Sequence, residues 1–158
     1  MTVSLLVRGL ALLALIAYAA QPPDQEYFNT TTATYLVKRS GSKVEAEVIK
    51  AGKNTTERTG QVKFRAELKG EYSRFVDAYE GTYHLDIPVS VATKCPALAD
   101  GVDVKAAIRL GGGGRNPGMP ITGFISLEVV VYDTVDRESC KVVRSAPRKL
   151  GPFFHIES

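Results

Sequence analysis

The chain reads as an all-β protein, an immunoglobulin-like antiparallel β-sandwich of seven or eight strands. Three observations carry that reading. Apolar and polar residues alternate with a period of two over long stretches, turn-forming residues separate those stretches, and nothing after the N-terminal region repeats its apolar residues at helical spacing.

The N-terminal region is different in kind. An apolar run from Leu10 to Ala19 follows Arg8, the only charge before it, and ends in Ala17-Tyr18-Ala19. A short apolar core with small residues at its end is the pattern of a secretory signal peptide, here 1–19, cleaved before Ala20 or Gln21. The run falls short of the roughly twenty residues that span a bilayer. Residues 20–158 then form a single sandwich domain with a short C-terminal tail, large enough for one real core.

The strands follow in order: 31–39, 43–50, 60–69, 72–79, 81–91, 102–110, 121–132 and 138–145. Within them Val44, Ala46 and Val48 alternate with Glu45 and Glu47. Val62, Phe64, Ala66 and Leu68 alternate with Lys63, Arg65 and Glu67, and Tyr83, Leu85, Ile87 and Val89 share one side opposite His84 and Asp86. Val102 to Leu110 repeats the pattern, and Ile125, Leu127, Val129 and Val131 share a face of the longest run. Ser40-Gly41, Ala51 to Asn54, Lys69-Gly70, Glu80-Gly81, Asp100-Gly101 and Asp133 to Arg137 supply the turns. The irregular stretch Gly111 to Pro120 holds four consecutive glycines, which cost most to order, and is expected to be a mobile hairpin connection. It lacks the Gly-Lys-Ser/Thr ending of a phosphate-binding loop.

Several features agree with an oxidising compartment. Cys95 and Cys140 are the only cysteines, and an even pair in a secreted chain closes as a disulfide, the alternative being two separately buried thiols. A loop of 45 residues would stabilise the fold by about 4 kcal/mol on the chain-entropy estimate. Asn29-Thr30-Thr31 and Asn54-Thr55-Thr56 are N-glycosylation acceptors at Asn29 and Asn54. The formal net charge of +3 is spread among interspersed acids and bases, which is a solubility pattern and not a nucleic-acid footprint.

Catalytic patterns are missing. His84 and His155 are far apart in sequence and neither stands at metal-ligand spacing from a cysteine, no Gly-x-Ser-x-Gly elbow is present, and Glu45, Glu47, Glu67, Asp86 and Asp103 fall on outward strand positions. The expectation is a binding protein with no enzyme activity, no catalytic residue, no metal and no cofactor.

From Gly81 onward the chain runs Gly-Thr-Tyr-His-Leu-Asp-Ile-Pro-Val, then Lys94-Cys95-Pro96-Ala97-Leu98-Ala99-Asp100-Gly101, an alternating strand and a Gly/Pro loop. Ile121 to Val129, a polar hairpin over Asp133 to Ser139, and Cys140-Lys141-Val142-Val143 close the stretch. Over roughly residues 60–145 this order resembles the ML lipid-recognition family, which includes the Niemann-Pick sterol carrier and the ganglioside activator protein. The chain departs from that family in having no cysteine between Ala20 and Lys94. Either the family's disulfides are absent or Cys95 and Cys140 have re-paired.

The resemblance implies a sandwich whose core is hollow. The apolar phase of the strands then supplies a lipid cavity lined by Val62, Phe64, Leu68, Tyr83, Leu85, Val104, Ile108, Ile125, Leu127 and Val129, with Phe75 or Tyr79 as further walls; the same residues would serve equally as an ordinary filled core. The function expected is a secreted or endolysosomal carrier of a sterol, acyl chain or glycolipid, with Lys94, Lys105 and Arg115 steering it toward a membrane surface or a receptor. The alternative is an immunoglobulin-like interaction module, or an effector that presents the Gly111 to Pro120 loop to another protein.

Overall fold

The computed structural model describes residues 24–157; the expected signal peptide lies outside them. Eleven strands carry the chain: β1 (Gln25–Asn29), β2 (Ala33–Ser40), β3 (Lys43–Ala51), β4 (Val62–Ser73), β5 (Val76–Leu85), β6 (Val102–Gly111), β7 (Gly114–Arg115), β8 (Ile121–Thr122), β9 (Ser126–Asp136), β10 (Lys141–Leu150) and β11 (Phe154–Ile156). After β5 ends at Leu85, two short helical turns follow, α1 (Val89–Ala92) behind Pro88 and a 3-10 turn over Pro96–Leu98. The all-β antiparallel class is as the sequence implies.

Nine strands form one continuous sheet in the order β10-β9-β6-β5-β4-β3-β2-β1-β11, and β7 pairs with β8 alone. Sequence neighbours pair from β1 to β6 and from β9 to β10, as short turns favour, while β6 pairs with β9 across the β7–β8 segment. The chain leaves β10 at one edge and returns as β11 beside β1 at the other, where β11 also meets β9. The sheet is therefore curled, and the two expected layers are its two halves facing each other.

Burial on alternate residues of each strand supplies the filling. Val37, Val44, Ala46, Phe64, Ala66, Tyr79, Tyr83, Val104, Ala106, Ile108, Leu110, Leu127, Val129 and Val131 turn inward into one cluster. Each fully buried Val, Leu, Ile or Phe contributes about 1.5–3 kcal/mol. An exposed ion pair such as Arg58–Asp100 contributes about 0–1. The apolar interior, and not the surface charge, holds the sheet curled.

The differences from the sequence reading have local causes. Gly81 is not a turn: it sits inside β5, and a Cβ there would clash with the Arg65 carbonyl oxygen and lie 2.6 Å from Ala66 Cα. Glycine here permits close approach of β4, so the expected strands 72–79 and 81–91 are one. Gly70, at φ +149, stands at a register shift within β4. The hairpin instead turns at Arg74-Phe75, between the paired Ser73 and Val76. β1 was not expected as a strand, and the tail is not free, because its Phe154–Ile156 segment is β11.

The glycine-rich connection, expected as a mobile hairpin, is tied to the sheet at both ends. Gly112 N–H donates to Phe75 O at 3.0 Å, Ile125 N–H to Gly111 O at 2.8 Å, and Ile121 N–H to Asp77 Oδ2 at 3.0 Å. The Arg115 guanidinium holds buried Asp77 at 2.5 Å. Ile121 and Phe124, both at 0% exposure, join the core, where Phe124 stacks on Phe28 with ring centroids 6.3 Å apart. This segment plugs one end of the curled sheet.

Cys95 and Cys140 form the expected disulfide, with Cα atoms 5.4 Å apart. It ties the β5–β6 connection to the β9–β10 turn over a small cluster of Ile87, Val91 and Cys95. That turn is closed by Asp136, which accepts from Ser139 Oγ at 2.5 Å and from the N–H groups of Glu138 and Ser139 at 3.2 Å.

Candidate functional site

The ten residues expected to line a lipid cavity divide into three groups. Phe64, Tyr83, Val104, Ile108, Leu127 and Val129 are buried in the main core, and Leu68 and Leu85 pack against it half-buried. Val62 is half-buried and outside the cluster, while Ile125 is 61% exposed. Ile125 leaves the series because Gly123 to Ile125 break the expected strand 121–132, so alternation restarts at Ser126. Of the further walls, Tyr79 is buried and Phe75 is 46% exposed.

The interior those residues share is filled. A chamber for an acyl chain would leave its lining open to a water-sized sphere, yet Val37, Ala46, Tyr79, Ile108, Leu110, Val129 and Val131 are all at 0% exposure. Around these residues the side chains pack against one another across the curled sheet. Of the three steering cations, Lys94 and Arg115 lie at opposite ends of β6, and Arg115 is engaged by Asp77 and Glu71. They do not share a mouth. Asn29 and Asn54 are both exposed.

Away from the plug, the sequence reading missed a buried charged cluster. In the β3–β4 ladder Ala46 pairs with Phe64 and Glu47 with Val62, which leaves Lys63 as an extra residue. This is a β-bulge, and a bulge re-aims a side chain. Unbroken alternation would send Lys63 to solvent; instead it is 1% exposed, with Nζ 5.1 Å above the Tyr83 ring. The same bulge displaces Val62 from the inward phase.

Lys63 Nζ lies 2.5 Å from Asp86 Oδ2, just beyond the end of β5, and 3.5 Å from Glu57 Oε1, on the β3–β4 connection. Glu57 is itself 8% exposed. It accepts hydrogen bonds from Tyr35 Oη and, at 2.9 Å, from Thr32 Oγ1. Burial, followed by the neighbouring Tyr83 and Glu57, raises the Tyr35 phenol far above its ordinary range; burial likewise raises Tyr83. Both phenols stay protonated and act as donors and apolar walls, not as bases.

A cavity of about 230 Å³ opens on this cluster, between Thr30 to Thr32, Tyr35, Tyr83 and Leu85 on the sheet side and Leu150 to Phe153 on the turn before β11. A wider cleft of about 550 Å³, toward Val89 and Asp100, reaches the same two carboxylates from the other side. Glu57 and Asp86 line both; Lys63 lines neither. The ammonium is behind the carboxylates, and the three groups sum to one negative charge. His84 is separately engaged, by Asp103 at 2.9 Å and the Asp100 carbonyl at 3.0 Å.

Asp86 stood in the sequence as an outward strand residue, and Glu57 was not singled out. Only the Thr and Glu content of Thr55-Thr56-Glu57 hinted at polar structure there. Comparison with known proteins returns no match: no family model, no curated protein and no solved structure is significantly similar to this chain. The likeness to the ML family rests on its short motifs.

Proposed function

We propose that the protein is a secreted binding protein that takes a small ligand bearing a positively charged amine into the 230 Å³ cavity. The observation that carries this is the disposition of charge. Glu57 and Asp86 face the cavity while their only buried counter-ion, Lys63, is behind them. An uncompensated charge in a partly desolvated site is costly, and a ligand cation offsets it, with the faces of Tyr35, Tyr83 and Phe153 adding cation–π attraction. The volume is below the roughly 300–1,000 Å³ of drug-sized sites, so the ligand is small. The disulfide and the exposed sequons support an extracytoplasmic location, and no helix among the described residues is long and apolar enough to cross a membrane.

The interior lipid carrier expected from the ML resemblance needs space that the packed core lacks, so the amine reading is the better supported one. Thermal unfolding with phenethylamine and with its neutral counterpart phenylethanol tests it. The amine is expected to raise the transition temperature of the protein and not of Glu57→Gln, by preferential binding to the native state. Equal shifts from amine and alcohol, or none from either, overturn it. A stoichiometric lipid in organic extracts of the protein from its native host would return the carrier reading.

A further inference from the structure

The β10 strand is an unusual edge. It pairs with β9 alone, so along its ten residues every second backbone N–H and C=O points away from the sheet. Val142 and Val143 are neighbours, and their side chains therefore project to opposite sides. Both are exposed, at 41% and 38%, so no second layer covers either side of the strand there, whereas Leu150 at its far end packs against the core. From Arg137 to Leu150 the chain holds five cations and one acid, a formal +4 against +3 for the whole protein. Arg144 and Lys149 reach Asp133 and Glu128, but Arg137, Lys141 and Arg148 make no ion pair among the described residues.

We propose that β10 is a docking edge for an extended acidic peptide segment of a partner protein, which adds to the sheet as an antiparallel strand. Unpaired backbone groups supply the ladder, and acidic side chains on the two faces of the added strand meet Lys141 on one side and Arg144 and Arg148 on the other. A second copy of this chain does not fit: it would set the four cations of β10 against the same four, and like charges on adjacent strands repel. Pro147, inside the register shift between Arg144 and Arg148, gives no N–H, so the two paired segments on either side of it make the contact.

The experiment uses the intact disulfide-bonded protein and a capped peptide of repeating Glu-Glu-Val-Val units, which carries glutamates on both faces of an extended strand. Binding is expected, weakened by salt, with slowed amide hydrogen exchange confined to β10. Lys141→Glu with Arg148→Glu, two exposed positions without ion pairs, is expected to leave the fold intact and weaken binding about tenfold, from the loss and reversal of two cross-strand charge contacts. The same peptide N-methylated at alternate residues keeps its charge but cannot form a ladder, and is expected not to bind. Equal binding by the N-methylated peptide, by a lysine-valine peptide, or by the charge-reversed variant overturns the proposal. So does a peptide that leaves β10 exchange unchanged while vesicles containing phosphatidylserine capture the protein.

Discussion

Replacing Lys63 by Met removes the ammonium from the buried cluster while keeping most of the side-chain volume. The structure sets the size of the effect. Lys63 is 1% exposed and lies within 3.5 Å of both Glu57 and Asp86, so its loss leaves two carboxylates without their counter-ion. Breaking a buried pair by removing one partner costs about 3–5 kcal/mol. The Asp86 side chain is 19% exposed and water can reach it, which points to the low end, about 3 kcal/mol. Urea unfolding gives this as a lower midpoint at unchanged slope. Adding Glu57→Gln and Asp86→Asn to Lys63→Met removes the orphaned charges and is expected to recover most of the loss, since neutral replacement of a buried ionic cluster is often tolerated. A Lys63→Met protein within about 0.5 kcal/mol of wild type, the range of ordinary surface changes, would mean that Lys63 reaches solvent and that the bulge does not turn it inward.

Two further outcomes test other parts of the molecule. Phe124→Ala is expected to cost about 3–5 kcal/mol, because the ring is fully buried against Phe28 with the Arg39 guanidinium 5.6 Å from its centroid; a cost under about 1 kcal/mol would make the glycine-rich segment a mobile loop after all. Glu128 is held below the usual carboxylate range by its hydrogen bond from Lys149 at 2.6 Å and by Arg109. Its contribution to stability is complete above the ordinary glutamate range and is lost as pH falls through the depressed folded value. Glu128→Gln is therefore expected to destabilise the protein at neutral pH, with the difference from wild type shrinking on acidification in pH-dependent urea unfolding; a constant difference would refute the linkage.

Most of the fold was legible where a strand obeys one unbroken rule. Val44 to Val48, Phe64 to Leu68 and Val102 to Leu110 alternate faultlessly, and each lies in a strand that turns those residues inward, Val48 into a smaller cluster with Ala33 and Tyr35 and the rest toward the main core. The misreadings occur where one residue does something alternation does not encode. Gly81 looked like a turn because glycine makes turns, but the absence of a side chain here serves the contact between β4 and β5. Gly123 to Ile125 interrupt a run whose apolar composition suggested continuity, which exposed Ile125 and sent Phe124 inward. The candidate site was invisible for the same reason, since its central residue, Lys63, sits at a bulge.

By itself the sequence determined the all-β class and the inward phase of most strands, because period-two burial is a local property, and it marked Cys95 and Cys140 as a candidate pair whose closure the structure supplied. Only the tertiary structure decided that the strands curl as one sheet, that the interior is filled, and that Lys63, Glu57, Asp86 and Tyr35 meet. Those residues are brought together by strand register and by the return of the chain to β1. Register depends on pairings between distant segments, and a one-residue bulge reverses which face a side chain takes without changing the amino-acid sequence pattern that precedes it.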